Sequence, residues 1–217
     1  MKKRKIKNKA KNRFLRILLI VLITIIILVL LVIILNLILR KEVSLSNNQI
    51  ENLNKIFPKE HIKDIRLYEK GLFSIGSTKT IYKSIYFENT GLGKYFFENP
   101  DSNKSIILLV HETVHTYQSR NSFGCIKMSI LSLCSQFIAY LKYGSRNYAY
   151  YYRIDSDTNL NPEQEASIIE DYFNLKFVNG DTSGINCINC ENYEKPKLIE
   201  KLEIRTKNIL NKYNYMQ

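Results

Sequence analysis

An uninterrupted apolar run limits this chain more than any other feature. From Ile17 to Leu39 it reads ILLIVLITIIILVLLVIILNLIL, 23 residues without a charge, bounded by Arg16 and Arg40. A helix rising 1.5 Å per residue would span about 34 Å over that length, enough to cross a hydrocarbon core of about 30 Å with some tilt. A helix inside a soluble core is seldom apolar on every side for so long. Residues 17–39 are therefore read as one transmembrane helix, with membrane lipid as its partner. A cleaved signal sequence would have a shorter apolar stretch and small residues at its cleavage site; LRKEVSLSNN follows here instead. Asn36 lies near the outer end, where a polar side chain can reach the interface.

Charge gives the expected orientation. Nine basic residues precede the apolar run in a basic tail, residues 1–16, and only Arg40 and Lys41 follow it closely. The positive-inside rule then puts the N-terminus in the cytoplasm and the remainder outside the cell membrane. The same count removes nucleic acid as a partner. The net charge is +12, but residues 1–41 hold eleven basic residues and no acid, leaving 21 basic against 20 acidic over residues 42–217. A nearly neutral domain does not offer the basic face that a phosphate backbone requires.

Residues 40–55 are polar and aperiodic and read as a stalk; residues 56–217 read as the folded domain. Asp64–Tyr68 and Ile81–Phe87 are β-type runs punctuated by Gly71, Gly76, Gly91 and Gly93. After Asp101 the pattern turns helical. Ser105–Gln118 reads as a buried helix capped by Asp101 or Ser102. Ile126–Leu141 reads as an amphipathic helix whose apolar residues pack on the core. It could instead lie in a membrane interface, but its polar face is mostly serine and core packing is favoured. Tyr148–Tyr152 is a tyrosine-rich strand or loop. A third helix opens at Asn161-Pro162, a cap followed by Pro at the first helical position, and runs to about Phe177. A fourth covers Lys197–Tyr213. The fold class is α+β.

His111-Glu112-Thr113-Val114-His115 is H-E-x-x-H. On a helix, positions i and i+4 lie about 40° apart, so both imidazoles can ligate one ion. Glu112 projects about 100° from His111 and can reach a zinc-activated water as general base without being a ligand. Two of the three histidines in the chain stand here, behind an apolar lead-in, Ile106–Val110. The third, His61, lies in a polar segment and is a poor ligand candidate. A catalytic zinc needs a third protein ligand, and the third helix, NPEQEASIIEDYF from Asn161, is the better source.

HETVHTYQ followed about fifty residues later by EQEASIIEDYF resembles the glutamate-zincin metallopeptidases, closest to a bacterial H-E-x-x-H branch of uncharacterised proteins. The resemblance covers roughly residues 64–178. It implies a zincin-like domain, one Zn²⁺ and hydrolysis of a peptide or protein substrate. It places His111, His115 and Glu163 on the metal and Glu112 as the catalytic base. The family's Asp, which would hold a ligand histidine from outside, is Ser167 here; Glu170 or Asp171, nearly one turn on, could take over that hydrogen bond. Glu165 points about 200° around the helix from Glu163, so only one of them can face the metal, and Glu165 or Glu170 remains the alternative ligand.

Cys125, Cys134, Cys187 and Cys190 all fall outside the membrane on this topology, where an even count reads as disulfides. Cys125 and Cys134 on one helix would point about 180° apart, so links from that helix to the Gly184–Glu191 loop are expected. Three functions stay open. The first is a membrane-anchored zinc peptidase. The second is a zincin-fold binding or envelope-structural domain without activity. The third is a disulfide-stabilised anchor protein without metal.

Overall fold

The computed structural model describes residues 2–75, 77–119, 122–156 and 159–214. It is a mixed helix and sheet protein, preceded by α1, Lys2–Leu39. Within α1, Leu15–Leu39 is long and apolar enough to cross a membrane, and its window is not buried by the rest of the chain.

Residues 40–55 are not a stalk. Glu42–Val43 forms β1, antiparallel to β2 at Arg66–Tyr68. Asn47–Leu53 forms α2, opened by a capping box in which Ser46 and Gln49 satisfy each other's backbone N–H groups, and Leu53 is fully buried. A short capped helix has too few turns to show a period, which is why the sequence conceals it. The Ile81–Phe87 run is likewise two strands. Lys79–Ile81 is β3, Tyr82 turns with φ 57°, and Ser84–Tyr86 is β4. The sheet order is β1-β2-β4-β3, with β2 and β4 parallel and β3 antiparallel to β4 at one edge. Lys59–Ile62 forms α3 and Gly91–Glu98 forms α4.

The core lies between this sheet and three helices. α5, Asn103–Gln118, starts at its Ser102 cap and buries Ile106, Leu109, Val110, Val114 and Tyr117. α7, Pro162–Phe173, starts with Asn161 accepting from the backbone N–H groups of Glu163 and Gln164. Ala166, fully buried, lets α7 pack closely on α5. α8, Lys195–Asn214, covers α7 with Leu198, Leu202 and Ile209.

α6, Ser122–Tyr143, departs from its expected placement. Its polar side, with Ser132, Ser135 and Gln136, faces inward, while Ile126, Ile130, Leu133, Phe137, Ile138 and Leu141 are exposed. Hydrogen bonds made by Ser132 and Gln136 account for the reversal. His61 is a core residue, not a ligand: its Nε2 lies 2.7 Å from Thr116 Oγ1 and its ring meets Tyr117 edge-on.

The cysteines also depart from expectation. Cys187 and Cys190 are joined to each other, their Cα atoms 5.5 Å apart, and Cys134 is a free, exposed thiol on α6. The side chain of Cys125 lies outside the described set. The 187–190 loop closes on itself, and Cys134 sits on the outward side of α6, so no link between them forms. Peptide mapping without reduction should find Cys187 bonded to Cys190 and Cys134 alkylated.

The C-terminal end of α1 is joined to the domain by specific contacts. Asn36 does not simply reach a solvent interface. Its Oδ1 accepts from the Phe73 N–H at 3.1 Å, in the 3₁₀ turn Leu72–Ser74. Arg40 stacks 4.5 Å from the centre of the Tyr68 ring and donates to the Tyr86 hydroxyl. Gly71 permits this approach: its φ is +124°, and a Cβ there would stand 2.6 Å from Asn36 Oδ1. Gly71→Ala should therefore destabilise the protein by about 1–3 kcal/mol in a denaturation series. Gly184→Ala, where a Cβ meets nothing within 4 Å, is the matched control.

Candidate metal centre

Two helices and one cap aim the site. His111 and His115 sit one turn apart on the buried side of α5. Glu163 stands just inside the N-terminus of α7, where the Asn161 cap holds the first turn rigid. One imidazole nitrogen from each histidine and one carboxylate oxygen of Glu163 lie within 4.8 Å of one another. Glu163 Oε2 is 3.5 Å from His111 Nε2 and 3.2 Å from His115 Nε2. Ligands about 2.0–2.1 Å from a tetrahedral ion stand about 3.3–3.4 Å apart, so the spacing suits zinc.

The surrounding hydrogen bonds settle which atoms face the centre. Glu170 Oε2 lies 2.7 Å from His111 Nδ1, and a carboxylate oxygen accepts, so Nδ1 carries the proton and Nε2 the lone pair. Gln118 does the same for His115. Its Nε2 donates to the Pro162 carbonyl at 3.2 Å and to Glu165 Oε2 at 2.9 Å, so its Oε1 is the atom that accepts from His115 Nδ1, at 2.9 Å. Glu163 is held from α6: Ser132 and Gln136 both donate to its Oε1. Its Oε2 is buried and has no hydrogen-bond partner. Three lone pairs thus converge on one point in a buried place, an arrangement that calls for a cation.

Proton affinities show the same demand. Burial opposes a charge on His111, yet the carboxylates of Glu163 and Glu170 outweigh it and raise the pKa well above the ordinary value. His115 is raised too, against burial, by Glu163. Burial alone would raise Glu163, but the two imidazoles hold it far below the usual carboxylate range. All three shifts run in the direction in which a positive charge shared among these groups is favoured.

The expected ligand set His111, His115 and Glu163 is brought together, and Glu170 holds His111 from outside. Ser167 and Asp171 do not. Ser167 Oγ is buried without a partner, and Asp171 accepts from the Tyr152 hydroxyl and the Asn186 N–H. Glu165 points away, toward Lys212, Tyr213 and Gln118. Glu112 lies beside the centre, and its Oε2 accepts from the Thr80 hydroxyl of β3 at 2.7 Å. Thr80, Ser132 and Gln136 were not foreseen. Ser132 and Gln136 did carry a signal, since they stand one turn apart on the serine-rich side of α6.

A cleft of about 320 Å³ runs past the cluster between β3 and α6, lined in part by Thr80, Glu112, His115, Ser132, Tyr150 and Glu163. The Tyr150 ring centre is 5.7 Å from that of His111. Burial, then the charges of Glu163 and Glu112, raise the pKa of Tyr150, so its hydroxyl stays protonated at neutral pH. A larger hollow, about 650 Å³, lies beside the end of α1 at Leu39, Lys70 and Phe97, away from these groups. No family model, curated protein or solved structure matches the chain.

Metal titration of the purified protein separates the roles. His111→Ala, His115→Ala and Glu163→Ala should each abolish stoichiometric binding. Glu170→Ala should weaken it about 10–100-fold, the usual cost of losing a partner that orients a ligand. Glu165→Ala should keep the metal and lower the melting temperature, because Tyr213 and Gln118 lose their buried acceptor.

Proposed function

We propose that the chain is a membrane-anchored zinc metallopeptidase with a zincin-like domain. The observation that carries this reading is the His111–His115–Glu163 cluster with Glu112 beside it at the wall of an open cleft. The resemblance of HETVHTYQ and EQEASIIEDYF to glutamate zincins supports it. The donor set, two imidazoles and one carboxylate, is one used by hydrolytic zinc sites. When bound, zinc would act as a Lewis acid that acidifies water and polarises a carbonyl.

The protein's own groups do the rest. β3 is an edge strand whose residues Lys79–Ile81 line the cleft, so an extended peptide can pair along it and present a carbonyl to the centre. Glu112 takes the proton of the attacking water and delivers it to the leaving amine. The Thr80 hydroxyl, bonded to Glu112 Oε2, orients that carboxylate. Tyr150, protonated and in the same cleft, donates to the oxygen that gains negative charge as the carbonyl carbon becomes tetrahedral. Glu163 is kept in place by Ser132 and Gln136 while the substrate enters between α6 and β3.

On this reading α1 crosses the cell membrane with its basic N-terminal tail in the cytoplasm and the cleft outside. The nine-to-two distribution of basic residues about the apolar run supports that orientation. Protease added to intact cells should remove the domain and spare the tail; a protected domain would reverse the orientation.

Activity is tested on the full chain in detergent with a peptide mixture read by mass spectrometry. Glu112→Gln should retain stoichiometric metal and lose hydrolysis, since an amide does not accept the water's proton. Tyr150→Phe should lower kcat about 10²–10³-fold with a smaller change in KM. Stoichiometric zinc with no turnover in the parent protein would leave a binding domain and sink the peptidase reading.

A further inference from the structure

α6 presents its two sides the opposite way from a core helix. Its polar side is occupied with Glu163, and its apolar side has no cover from the described residues. At about 100° per residue, Ile126, Ile130, Leu133, Phe137 and Leu141 fall within about 80° of arc, a continuous stripe about 22 Å long. Each is between 55% and 68% exposed. An apolar stripe of this extent on a polar domain marks a contact surface.

Three observations say what it contacts. The first is charge. From Thr113 to Ile154 the chain has no acidic residue and five basic ones, whereas the rest of residues 42–217 holds sixteen basic and twenty acidic. Lys127 lies about 40° beyond one edge of the stripe, Lys142 stands in the last turn of α6 on its other side, and Arg146 follows the helix, all exposed. The second is exposed tyrosine, a residue type suited to the boundary between lipid and water: Tyr140 and Tyr143 in the last turn of α6, and Tyr148 in the turn after it. The third is continuity with α1. The Leu72–Ser74 turn touches α1 through Asn36, and Ser77, three residues on, lines the cleft together with Ser129 and Leu133 of α6. Three residues of chain span at most about 10 Å.

We propose that α6 lies on the surface of the bilayer that α1 crosses, its apolar stripe sunk at the boundary between headgroups and acyl chains. Lys127, beside the stripe, then meets anionic headgroups. The proposal rests on α1 being a membrane helix and not on the hydrolase reading. Because α1 already holds the domain at the membrane, α6 docks at high effective concentration and needs little affinity of its own. Docking brings the mouth of the cleft to the lipid surface.

The test uses the full chain with Cys125→Ser, so that Cys134, on the flank of the stripe, is the thiol labelled with an environment-sensitive NBD fluorophore. The protein is reconstituted into vesicles of phosphatidylcholine and phosphatidylglycerol, and flotation after a carbonate wash reports insertion of α1 separately. The expected result is blue-shifted emission, loss of about half or more of it to lipid-borne doxyl groups near the headgroups, and protection from iodide present on both sides. Phe137→Glu with Leu141→Glu should restore iodide quenching while the protein still floats and keeps its metal. A protein that floats with an iodide-accessible, doxyl-insensitive label overturns the proposal. So does a blue shift without doxyl quenching that grows with copies per vesicle, which would make the stripe a contact between two chains. Failure to float overturns the membrane reading of α1 and the proposal with it, whatever the hydrolase assays show.

Discussion

Glu163 Oε2 faces two imidazole nitrogens, and much of the domain is arranged so that it can. Burying a carboxylate is costly unless its charge is met. The Asn161 cap stiffens the first turn of α7, Ala166 allows α7 to close on α5, and Ser132 and Gln136 take the other carboxylate oxygen. Each histidine is turned by a separate acceptor, Glu170 for one and Gln118 for the other. These groups come from α5, α6 and α7, so the centre is a product of packing among helices, and a disturbance in any of them reaches His111, His115 and Glu163.

α6 links that centre to the outside of the molecule. A helix whose hydroxyl and amide groups serve a buried carboxylate cannot also turn its apolar residues inward, because the two sides are opposite. The exposed stripe of Leu133, Phe137 and their neighbours is therefore a consequence of how Glu163 is held. The contacts of Asn36 and Arg40 with the domain work in the same direction at the other end. They hold the C-terminal end of α1 against the sheet and the Leu72–Ser74 turn.

Some of this was legible without coordinates because it is local. Twenty-three almost wholly apolar residues, as a helix, are long enough to cross a membrane. H-E-x-x-H on a helix puts two imidazoles on one side through the 3.6-residue repeat alone. Asn161-Pro162 marks a helix start by capping chemistry, and the position of Glu163 in that first turn follows from it. The other elements were hidden for equally local reasons. β1 has two residues and α2 seven, too few for a period, and the β3–β4 turn passes through Tyr82 without a glycine to mark it.

What only the tertiary structure decided depends on which faces meet. Helix geometry left Glu170 and Asp171 both eligible to hold a histidine. The rotation of α7 against α5 gave His111 to Glu170 and turned Asp171 to Tyr152. The amphipathic pattern of α6 is the same whether its apolar side looks in or out, because periodicity defines two sides and does not say which is buried. The partner decided it: a carboxylate on α7 needed donors, and α6 had them. The cysteines show the same division. Their number suggested oxidation, but pairing requires sulfurs brought within bonding distance, and the chain brought Cys187 to Cys190 and left Cys134 outside.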